Sequence, residues 1–251
     1  MRYLILSDIH ANLEALDAVL HHVRRKHYDH ILFLGDAVGY GASPNQIVSW
    51  LRSLGPGVAT VRGNHDRVCA GLDSGEYFNR YARQASMWTY DRLDPRNLEY
   101  LRALAEGPVT VSSRVAFCHG STVDEDTYIF SSYDAQIAFG ALPQGVVFFG
   151  HTHVPSMFVL RSSGVGVSLR ARLLSGRKVV VDLDPAERQL INPGSVGQPR
   201  DRDPRASYAI YDDEQRRLHL YRVVYRVEAA RRRIIQSGLP PVLGDRLLYG
   251  A

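Results

Sequence analysis

The sequence lacks several features that would mark a membrane, repeat or disulfide-stabilised protein. None of its apolar runs approaches the ~20 residues that cross a bilayer, and it contains no internal repeat or low-complexity segment. Its two cysteines, Cys69 and Cys118, are too few for a disulfide framework. The N-terminal residues carry no cleavable signal pattern. We therefore expect a cytoplasmic protein with buried thiols; a thiolate ligand at Cys118, beside His119, is the alternative.

The composition is that of a soluble globular protein, with 45% apolar and 22% charged residues. Length and composition give no reason to divide the chain, so we predict one domain over 1–251. The formal net charge of +4, supplied mainly by arginine, favours anionic substrates. The basic residues concentrate at 200–205 and 231–233 without forming a dense stripe, so we expect no dedicated nucleic-acid-binding module.

The first third of the chain alternates short apolar runs with helical patterns. This alternation favours parallel strands joined by crossover helices. The carboxyl ends of parallel strands meet at one sheet edge, where α/β proteins bind their ligands. The predicted strands are Arg2–Ser7, Ile31–Leu34 and Gly57–Arg62, and the predicted helices are Leu13–Lys26 and Pro44–Leu54.

The rest of the chain departs from that rhythm. Residues 71–106 are predicted as a helical insertion, with helices at Tyr77–Arg92 and Arg96–Ala105 whose aromatic residues either pack or line a cleft. Residues 154–251 are predicted to add strands, a basic helix near Val227–Gln236, and a tail from Leu239 to which no structure is assigned. The predicted strands of the second half are Val109–Val111, Arg114–Cys118, Val146–Phe149, Met157–Leu160, Val165–Leu174, Lys178–Asp182, Gln189–Ile191, Ser207–Tyr211 and Leu218–Val223.

Five short polar segments follow apolar runs and carry side chains that bind metals. Carboxylate oxygen combined with imidazole nitrogen suits Mn, Fe or Zn, and the lack of a cysteine cluster argues against a structural zinc site. Together the segments offer enough ligands for a pair of divalent cations. They are Asp8-Ile9-His10, Gly35-Asp36, Gly63-Asn64-His65-Asp66, His119-Gly120 and Gly150-His151-Thr152-His153.

In this order the five segments resemble the motifs of the calcineurin-like metallophosphoesterases. The resemblance covers 8–153 and implies an α/β fold in which two facing mixed β-sheets are flanked by helices. It also implies a binuclear centre whose shared water attacks phosphorus in line, as a metal-bridging hydroxide. It makes His65 the catalytic acid at the leaving oxygen. It assigns Asp8, His10, Asp36 and His153 to one metal, and Asp36, Asn64, His119 and His151 to the other, with Asp36 bridging.

Two further segments narrow the branch of the family. Gly39 and Tyr40 stand where protein Ser/Thr phosphatases carry an aspartate that orients the catalytic histidine and an arginine that binds phosphate. The run 38–44 instead resembles the compact prokaryotic phosphodiesterases, which include enzymes similar to diadenosine tetraphosphate hydrolases. The loop 192–200 resembles a late loop of that branch, which implies substrate contacts from Asn192, Ser195 and Arg200. A tight strand connection with a surface arginine is the alternative.

These patterns predict a two-metal phosphodiesterase that acts on small phosphodiesters or nucleotides, with dinucleoside polyphosphates as one candidate class. A phosphomonoesterase or protein phosphatase is a second possibility. The third is a non-catalytic scaffold with the same fold, which the intact ligand set and His65 disfavour. No feature of the sequence selects an oligomeric state.

Overall fold

The computed structural model describes residues 1–164 and 166–251. Strands occur in both halves of the chain, as the sequence predicts. The predicted strand Val165–Leu174 corresponds to Gly166–Leu173, and Val165 itself lies outside the described residues. The strands are β1 Arg2–Leu6, β2 His30–Phe33, β3 Val58–Thr60, β4 Val109–Thr110, β5 Val115–Phe117, β6 Val146–Phe148, β7 Ser156–Ser163, β8 Gly166–Leu173, β9 Lys178–Asp182, β10 Glu187–Asn192, β11 Ala206–Asp212 and β12 Arg217–Val223.

The helices connect these strands and cover their outer faces. Two short 3-10 turns, Gly55–Gly57 and Arg246–Leu248, accompany them. Within the described part of the chain, none of the helices combines the length and apolarity that a bilayer crossing requires. The α-helices are α1 Leu13–Val23, α2 Pro44–Ser53, α3 Asn64–Cys69, α4 Arg80–Tyr90, α5 Pro95–Arg102, α6 Ser132–Ala141, α7 Val227–Gln236 and α8 Pro241–Asp245.

The strands form two mixed sheets of six strands each. The first has the order β3-β2-β1-β11-β12-β9, and the second β4-β5-β6-β10-β7-β8. In the first sheet, β1, β2 and β3 run parallel and the other pairs are antiparallel. In the second, β5, β6 and β10 are parallel. Strands that follow residue 153 complete both sheets, so the two parts of the chain interleave.

Three apolar layers explain the arrangement. Ile5 of the first sheet and Phe148 of the second belong to the cluster between the sheets. Leu4, on the opposite face of β1, packs in the layer that includes Leu16 of α1, because successive side chains of a strand point to opposite faces. Phe139 of α6 packs on the outer face of the second sheet. The layers therefore follow the order helix, sheet, sheet, helix, which confirms the predicted fold class.

The parallel strands deliver the polar segments to one edge. Leu6 of β1 pairs with Phe33 of β2, so the turns that carry Asp8 and Asp36 leave neighbouring strands side by side. Phe117 of β5 likewise pairs with Phe148 of β6, just before His119 and His151. The two sheets thus present their motif turns to a common rim.

Several elements differ from the sequence-based prediction. Helix α1 ends at Val23 rather than Lys26, and α4 begins at Arg80, where the Asn79 side chain accepts hydrogen bonds from the backbone N–H groups of Tyr81 and Ala82. Helices α3, α6 and α8 were not predicted. The unassigned tail folds back on the molecule as α8 and a 3-10 turn that pack on α7.

Candidate metal centre

The structure gathers six of the predicted ligands into two buried groups. Within each group, one potential ligand atom from every residue lies within 4.8 Å of the others, and Asp36 belongs to both groups. The side-chain oxygen of Asn64 lies 3.3 Å from Nε2 of His119, which brings the seventh predicted ligand to the second group. The first group is Asp8, His10, Asp36 and His153, and the second is Asp36, His119 and His151.

Backbone carbonyls fix the tautomers of the first group's histidines. Nδ1 of His10 donates to the Val38 carbonyl at 3.0 Å, and Nδ1 of His153 donates to the Gln198 carbonyl at 2.6 Å. A carbonyl can only accept, so in each neutral ring the proton is on Nδ1 and Nε2 keeps its lone pair. The two Nε2 atoms face each other at 3.2 Å. Two lone pairs this close repel each other unless a cation lies between them.

The second group repeats the arrangement with one ring reversed. Nδ1 of His119 donates to the Leu34 carbonyl at 2.9 Å, whereas His151 donates to the Asp126 carbonyl through Nε2 at 3.0 Å. The remaining nitrogens, Nε2 of His119 and Nδ1 of His151, lie 3.1 Å apart. When one ring nitrogen donates to a backbone carbonyl in this way, the hydrogen bond orients the other nitrogen for metal binding.

Two carboxylate oxygens complete the donor set. Oδ1 of Asp8 and Oδ2 of Asp36 are buried and have no hydrogen-bond partner within residues 1–164 and 166–251. Oδ1 of Asp8 lies 3.3 Å from Nε2 of His153, and Oδ2 of Asp36 lies 3.4 Å from Nε2 of His10. Buried carboxylates without partners are costly unless they coordinate a cation. The donors present therefore fit a pair of divalent metal ions.

The electrostatics agree with that fit. Burial, together with the nearby charges of Asp66 and Asp8, raises the pKa of Asp36 well above its usual range. Burial also lowers the pKa of His10 well below its usual range, and burial with the charge of Arg200 lowers the pKa of His153 to about 4. Neutral imidazole is the form that binds metals, whereas the crowded carboxylates need a compensating positive charge.

The turns that carry these ligands have unusual backbone conformations. Of the nine non-glycine residues with positive φ in the described chain, seven lie in the site, with φ between 48° and 64°. Such left-handed conformations cost roughly 1–3 kcal/mol each and cluster at functional sites. The seven residues are Asp8, His10, Ala11, Asp36, Tyr40, His151 and His153.

Glycines allow these turns to approach one another. A Cβ at Gly63 would lie 2.1 Å from Oδ1 of Asp36, and a Cβ at Gly150 would lie 2.1 Å from the Ser7 hydroxyl. Glycine before a motif residue can also permit a sharp turn. At these two positions, close packing is the reason that no side chain fits.

His65 lies beside the candidate metal ligands and packs against three aromatic rings. Its ring centroid is 4.3 Å from that of Tyr40, 4.4 Å from Phe78 and 5.0 Å from His10. Its Nδ1 is buried and has no partner among the described residues. Burial, followed by the charge of Arg200, lowers the pKa of His65 well below its usual range. Packing against these rings, and not a hydrogen bond to a carboxylate, therefore orients the His65 imidazole.

The carboxylate of Asp66, next to His65 in the sequence, forms hydrogen bonds to backbone groups and not to the His65 ring. Its oxygens accept hydrogen bonds from the backbone N–H groups of Gly63 at 3.0 Å and Val38 at 3.1 Å. The backbone N–H of His65 donates to Oδ1 of Asp36 at 3.0 Å. Asp66 therefore ties two motif turns together, and Asp36 holds the start of α3.

The predicted substrate contacts divide into two kinds. Asn192 and Ser195 have no exposed surface. Asn192 donates to the Gly150 carbonyl at 2.6 Å, and Ser195 donates to the Asp8 carbonyl at 2.8 Å. Both thus lie behind the ligand turns, hydrogen bonded to the protein. Arg200 is half-buried and its guanidinium is 3.4 Å from the Tyr40 hydroxyl, so it lies at the site itself.

One arginine at the site was not predicted. The guanidinium of Arg246 lies 4.2 Å from the centroid of the Tyr40 ring and donates to the side-chain oxygen of Gln198, whose backbone carbonyl orients His153. Burial lowers the pKa of Arg246 to about 10. No local pattern identified this residue, because it comes from the unassigned tail.

The cysteines lie outside the ligand groups. Both are buried, and burial raises the pKa of Cys118 to about 12, so its thiol is neutral at physiological pH. This is the buried, uncharged state that the sequence favoured for Cys118.

Comparison with known proteins agrees with this architecture. The sequence model of the calcineurin-like phosphoesterase superfamily domain matches residues 1–216. An uncharacterised protein of Methanocaldococcus jannaschii is 38% identical over 254 residues, spanning 98% of this chain and 97% of that protein. The crystal structure of a metallophosphoesterase from Sphaerobacter thermophilus is 39% identical, covers 100% of both chains and superposes with a TM-score of 0.84. A hypothetical protein of Pyrococcus horikoshii covers 100% of this chain and 98% of its own with a TM-score of 0.78, and at 19% identity it shares the fold alone.

Proposed function

The chain belongs to the calcineurin-like phosphoesterase superfamily, and on that premise we propose that it is a two-metal phosphodiesterase. Family membership makes it a metal-dependent phosphoester hydrolase. The proposal adds that the centre is binuclear and that the substrates are small phosphodiesters or nucleotides, with dinucleoside polyphosphates as one candidate class. A cytoplasmic location remains a prediction.

The observation that carries the proposal is the pair of facing, unprotonated histidine nitrogens in each group, joined by Asp36. One metal would be held by Asp8, His10, Asp36 and His153, and the other by Asp36, Asn64, His119 and His151. Mixed oxygen and nitrogen donors suit Mn, Fe or Zn. When bound, such a pair supplies an activated water nucleophile and neutralises charge on the phosphoryl oxygens.

His65 is proposed to act on the leaving group. Its imidazole packs between Tyr40 and Phe78, which restricts its orientation beside the ligands. In the neutral ring that the lowered pKa favours, an N–H donated to the leaving ester oxygen stabilises the negative charge that develops there. Only the doubly protonated ring would pass a proton to that oxygen as a general acid. The packing supports this role because it preorganises the donor before the substrate binds.

Arg200 is the proposed contact for a non-bridging phosphate oxygen. It is the only one of the three predicted loop contacts whose side chain reaches the site from a partly exposed position. A guanidinium can donate two parallel N–H bonds to a phosphate group. Asn192 and Ser195 would instead hold the turns that present Asp8 and His151.

Steady-state kinetics with Mn²⁺ test the proposal. The purified protein should hydrolyse bis-p-nitrophenyl phosphate with higher kcat/KM than p-nitrophenyl phosphate. A strong preference for the monoester would support a phosphomonoesterase instead, and no hydrolysis of either ester would support a scaffold. Replacing Asn64 with alanine should abolish hydrolysis and leave the circular dichroism spectrum unchanged. The control, His27→Gln at an exposed histidine, should leave hydrolysis unchanged as well.

A further inference from the structure

The loop between β5 and α6 places two aromatic rings in series next to the metal centre. The ring of Tyr128 stacks on His151 with a centroid distance of 3.8 Å and an interplanar angle of 24°. The ring of Phe130 then stacks on Tyr128 at 5.1 Å and 13°. Although Tyr128 and Phe130 are large and apolar, they are 41% and 63% exposed. The stacked rings of Tyr128 and Phe130 thus extend from His151, on a candidate ligand turn, to solvent.

A cavity of about 220 Å³ opens beside Phe130, the more exposed of the two rings. Thr152, the residue between His151 and His153, lines it, so the cavity begins at the turn that carries two candidate ligands. Phe130, Val154 and Leu173 give it apolar walls, and the Ser156 hydroxyl adds a hydrogen-bonding group. Leu173 is 71% exposed, so its side chain contributes little to the core and is available to a ligand.

The chemistry of this cavity matches a flat ring with polar edges. Apolar walls and an exposed aromatic face favour stacking, whereas the Ser156 hydroxyl can pair with ring nitrogens or carbonyls. The Thr152 hydroxyl instead accepts hydrogen bonds from the Asn192 side chain and the Val154 backbone N–H. A substrate phosphate at the metal centre would hold such a ring at the adjoining turn.

We infer that the cavity bounded by Phe130, Thr152 and Leu173 is a nucleobase subsite. It would bind the base of a nucleoside esterified to the phosphate that is cleaved. This rests on the proposed phosphodiesterase function and deepens it, because it makes a nucleotide ester the preferred substrate class. The base stacks on Phe130, and the ester linkage spans the distance to the metal-binding turn.

Two esters that differ only in the base provide the test. One is the p-nitrophenyl ester of thymidine 5′-phosphate, and the other is its abasic 2-deoxyribose counterpart, so the leaving group is the same. With Mn²⁺, the wild type should hydrolyse the base-bearing ester with roughly 5- to 150-fold higher kcat/KM, the range expected from base–aromatic stacking. The preference should appear mainly in KM, because the base lies away from the reacting atoms.

Substitution of Phe130 links the preference to this cavity. Phe130→Ala should bring the ratio of the two kcat/KM values toward one, and Phe130→Trp should retain the preference. Tyr133→Ala removes a neighbouring ring that is 72% exposed and does not line the cavity, so its ratio should equal that of the wild type. Thermal melts and gel filtration of each variant would establish folding and oligomeric state.

Each other outcome overturns the inference. Hydrolysis of both esters by the wild type with equal efficiency overturns the subsite alone. A Phe130→Ala variant that keeps the wild-type ratio does the same. If Phe130→Ala slows both esters equally and changes the oligomeric state, the exposed rings form a contact between copies. If the wild type hydrolyses bis-p-nitrophenyl phosphate but neither of these esters, the subsite alone fails. If it hydrolyses none of the three diesters, the proposed function fails and the subsite fails with it.

Discussion

His10 and His153 face each other through Nε2 atoms that are 3.2 Å apart, while Nδ1 of each ring donates to a backbone carbonyl. The two residues are far apart in sequence, and they meet because β1 and the strands of the second sheet end at one rim. Their low pKa values, caused chiefly by burial, keep both rings neutral. The fold therefore sets two lone pairs in opposition, an arrangement that a shared cation converts from repulsive to stabilising.

Replacing His65 should slow hydrolysis according to the leaving group. In a series of substituted phenyl esters of thymidine 5′-phosphate, His65→Gln should lower kcat about 100-fold or more for poor leaving groups. The loss should shrink toward p-nitrophenol, because a stable phenolate needs little help from a hydrogen-bond donor. Steady-state kinetics across the series measure the effect, with His27→Gln as the control. An equal loss across the series would mean that His65 only positions the phosphate.

Substituting Gly63 should disrupt the ligand turns without straining the backbone. Its φ of −102° suits alanine, yet the added Cβ would lie 2.1 Å from Oδ1 of Asp36. Gly63→Ala should cost about 1–3 kcal/mol of stability from overpacking and lower kcat/KM about 100-fold by displacing Asp36. Gly140→Ala, in a helix where the new Cβ meets nothing within 4 Å, should be fully active. Wild-type activity of Gly63→Ala would contradict this.

The tail should support the site through Arg246. This side chain stacks on Tyr40 and bonds to Gln198, whose carbonyl orients His153. Arg246→Ala should therefore lower kcat/KM about tenfold, at the lower end of the loss seen when a residue that orients a metal-binding histidine is removed. Arg246→Lys should restore part of it. Arg232→Ala, at an exposed position on α7, is the matched control. Equal activities for all three variants would show that the tail does not support the site through Arg246.

The N-terminus of α6 should show a pH-dependent contribution from Asp134. Its carboxylate accepts hydrogen bonds from the backbone N–H groups of Ser131 and Phe130, and these, with the Ser131 hydroxyl, lower its pKa below the usual 3.8. A depressed native pKa stabilises the fold above the unfolded-state pKa, and this contribution is lost as the pH falls through the native pKa. The partly exposed charge is screened, so Asp134→Asn should cost only about 0.3–1 kcal/mol at pH 7.

Urea unfolding measures the difference in the free energy of unfolding between the wild type and Asp134→Asn. This difference should be constant from pH 6 to pH 8 and should fall toward zero as the pH falls below about 4. Glu99→Gln, at an exposed position on α5, should show no comparable change. A difference that grows in acid would contradict the assigned hydrogen bonds.

The sequence predicts the fold class because its signals are local. The apolar runs before Asp8, Asp36 and His151 show where strands end, and their alternation with helices predicts the parallel order. The Ser131-x-x-Asp134 capping box was a usable signal for α6. The apolar residues of that helix do not form a clear stripe, so hydrophobic periodicity does not predict it.

The remainder depends on contacts that no local pattern encodes. The left-handed conformations of Asp8 and Asp36 exist because the packed strand ends impose them. The resemblance of the loop 192–200 identifies polar residues but not the direction in which they point, and Asn192 points into the protein. Arg246 reaches Tyr40 only because the tail folds back over α7.

We propose that this rim binds two metal ions that share Asp36. The most direct measurement is the metal content of Mn²⁺-loaded, desalted protein by inductively coupled plasma mass spectrometry, for the wild type and Asp36→Asn. We predict two ions per chain in the wild type and fewer than one in Asp36→Asn, with matching circular dichroism spectra. A wild type that binds one ion or none, or an Asp36→Asn variant that keeps two, would contradict the binuclear centre.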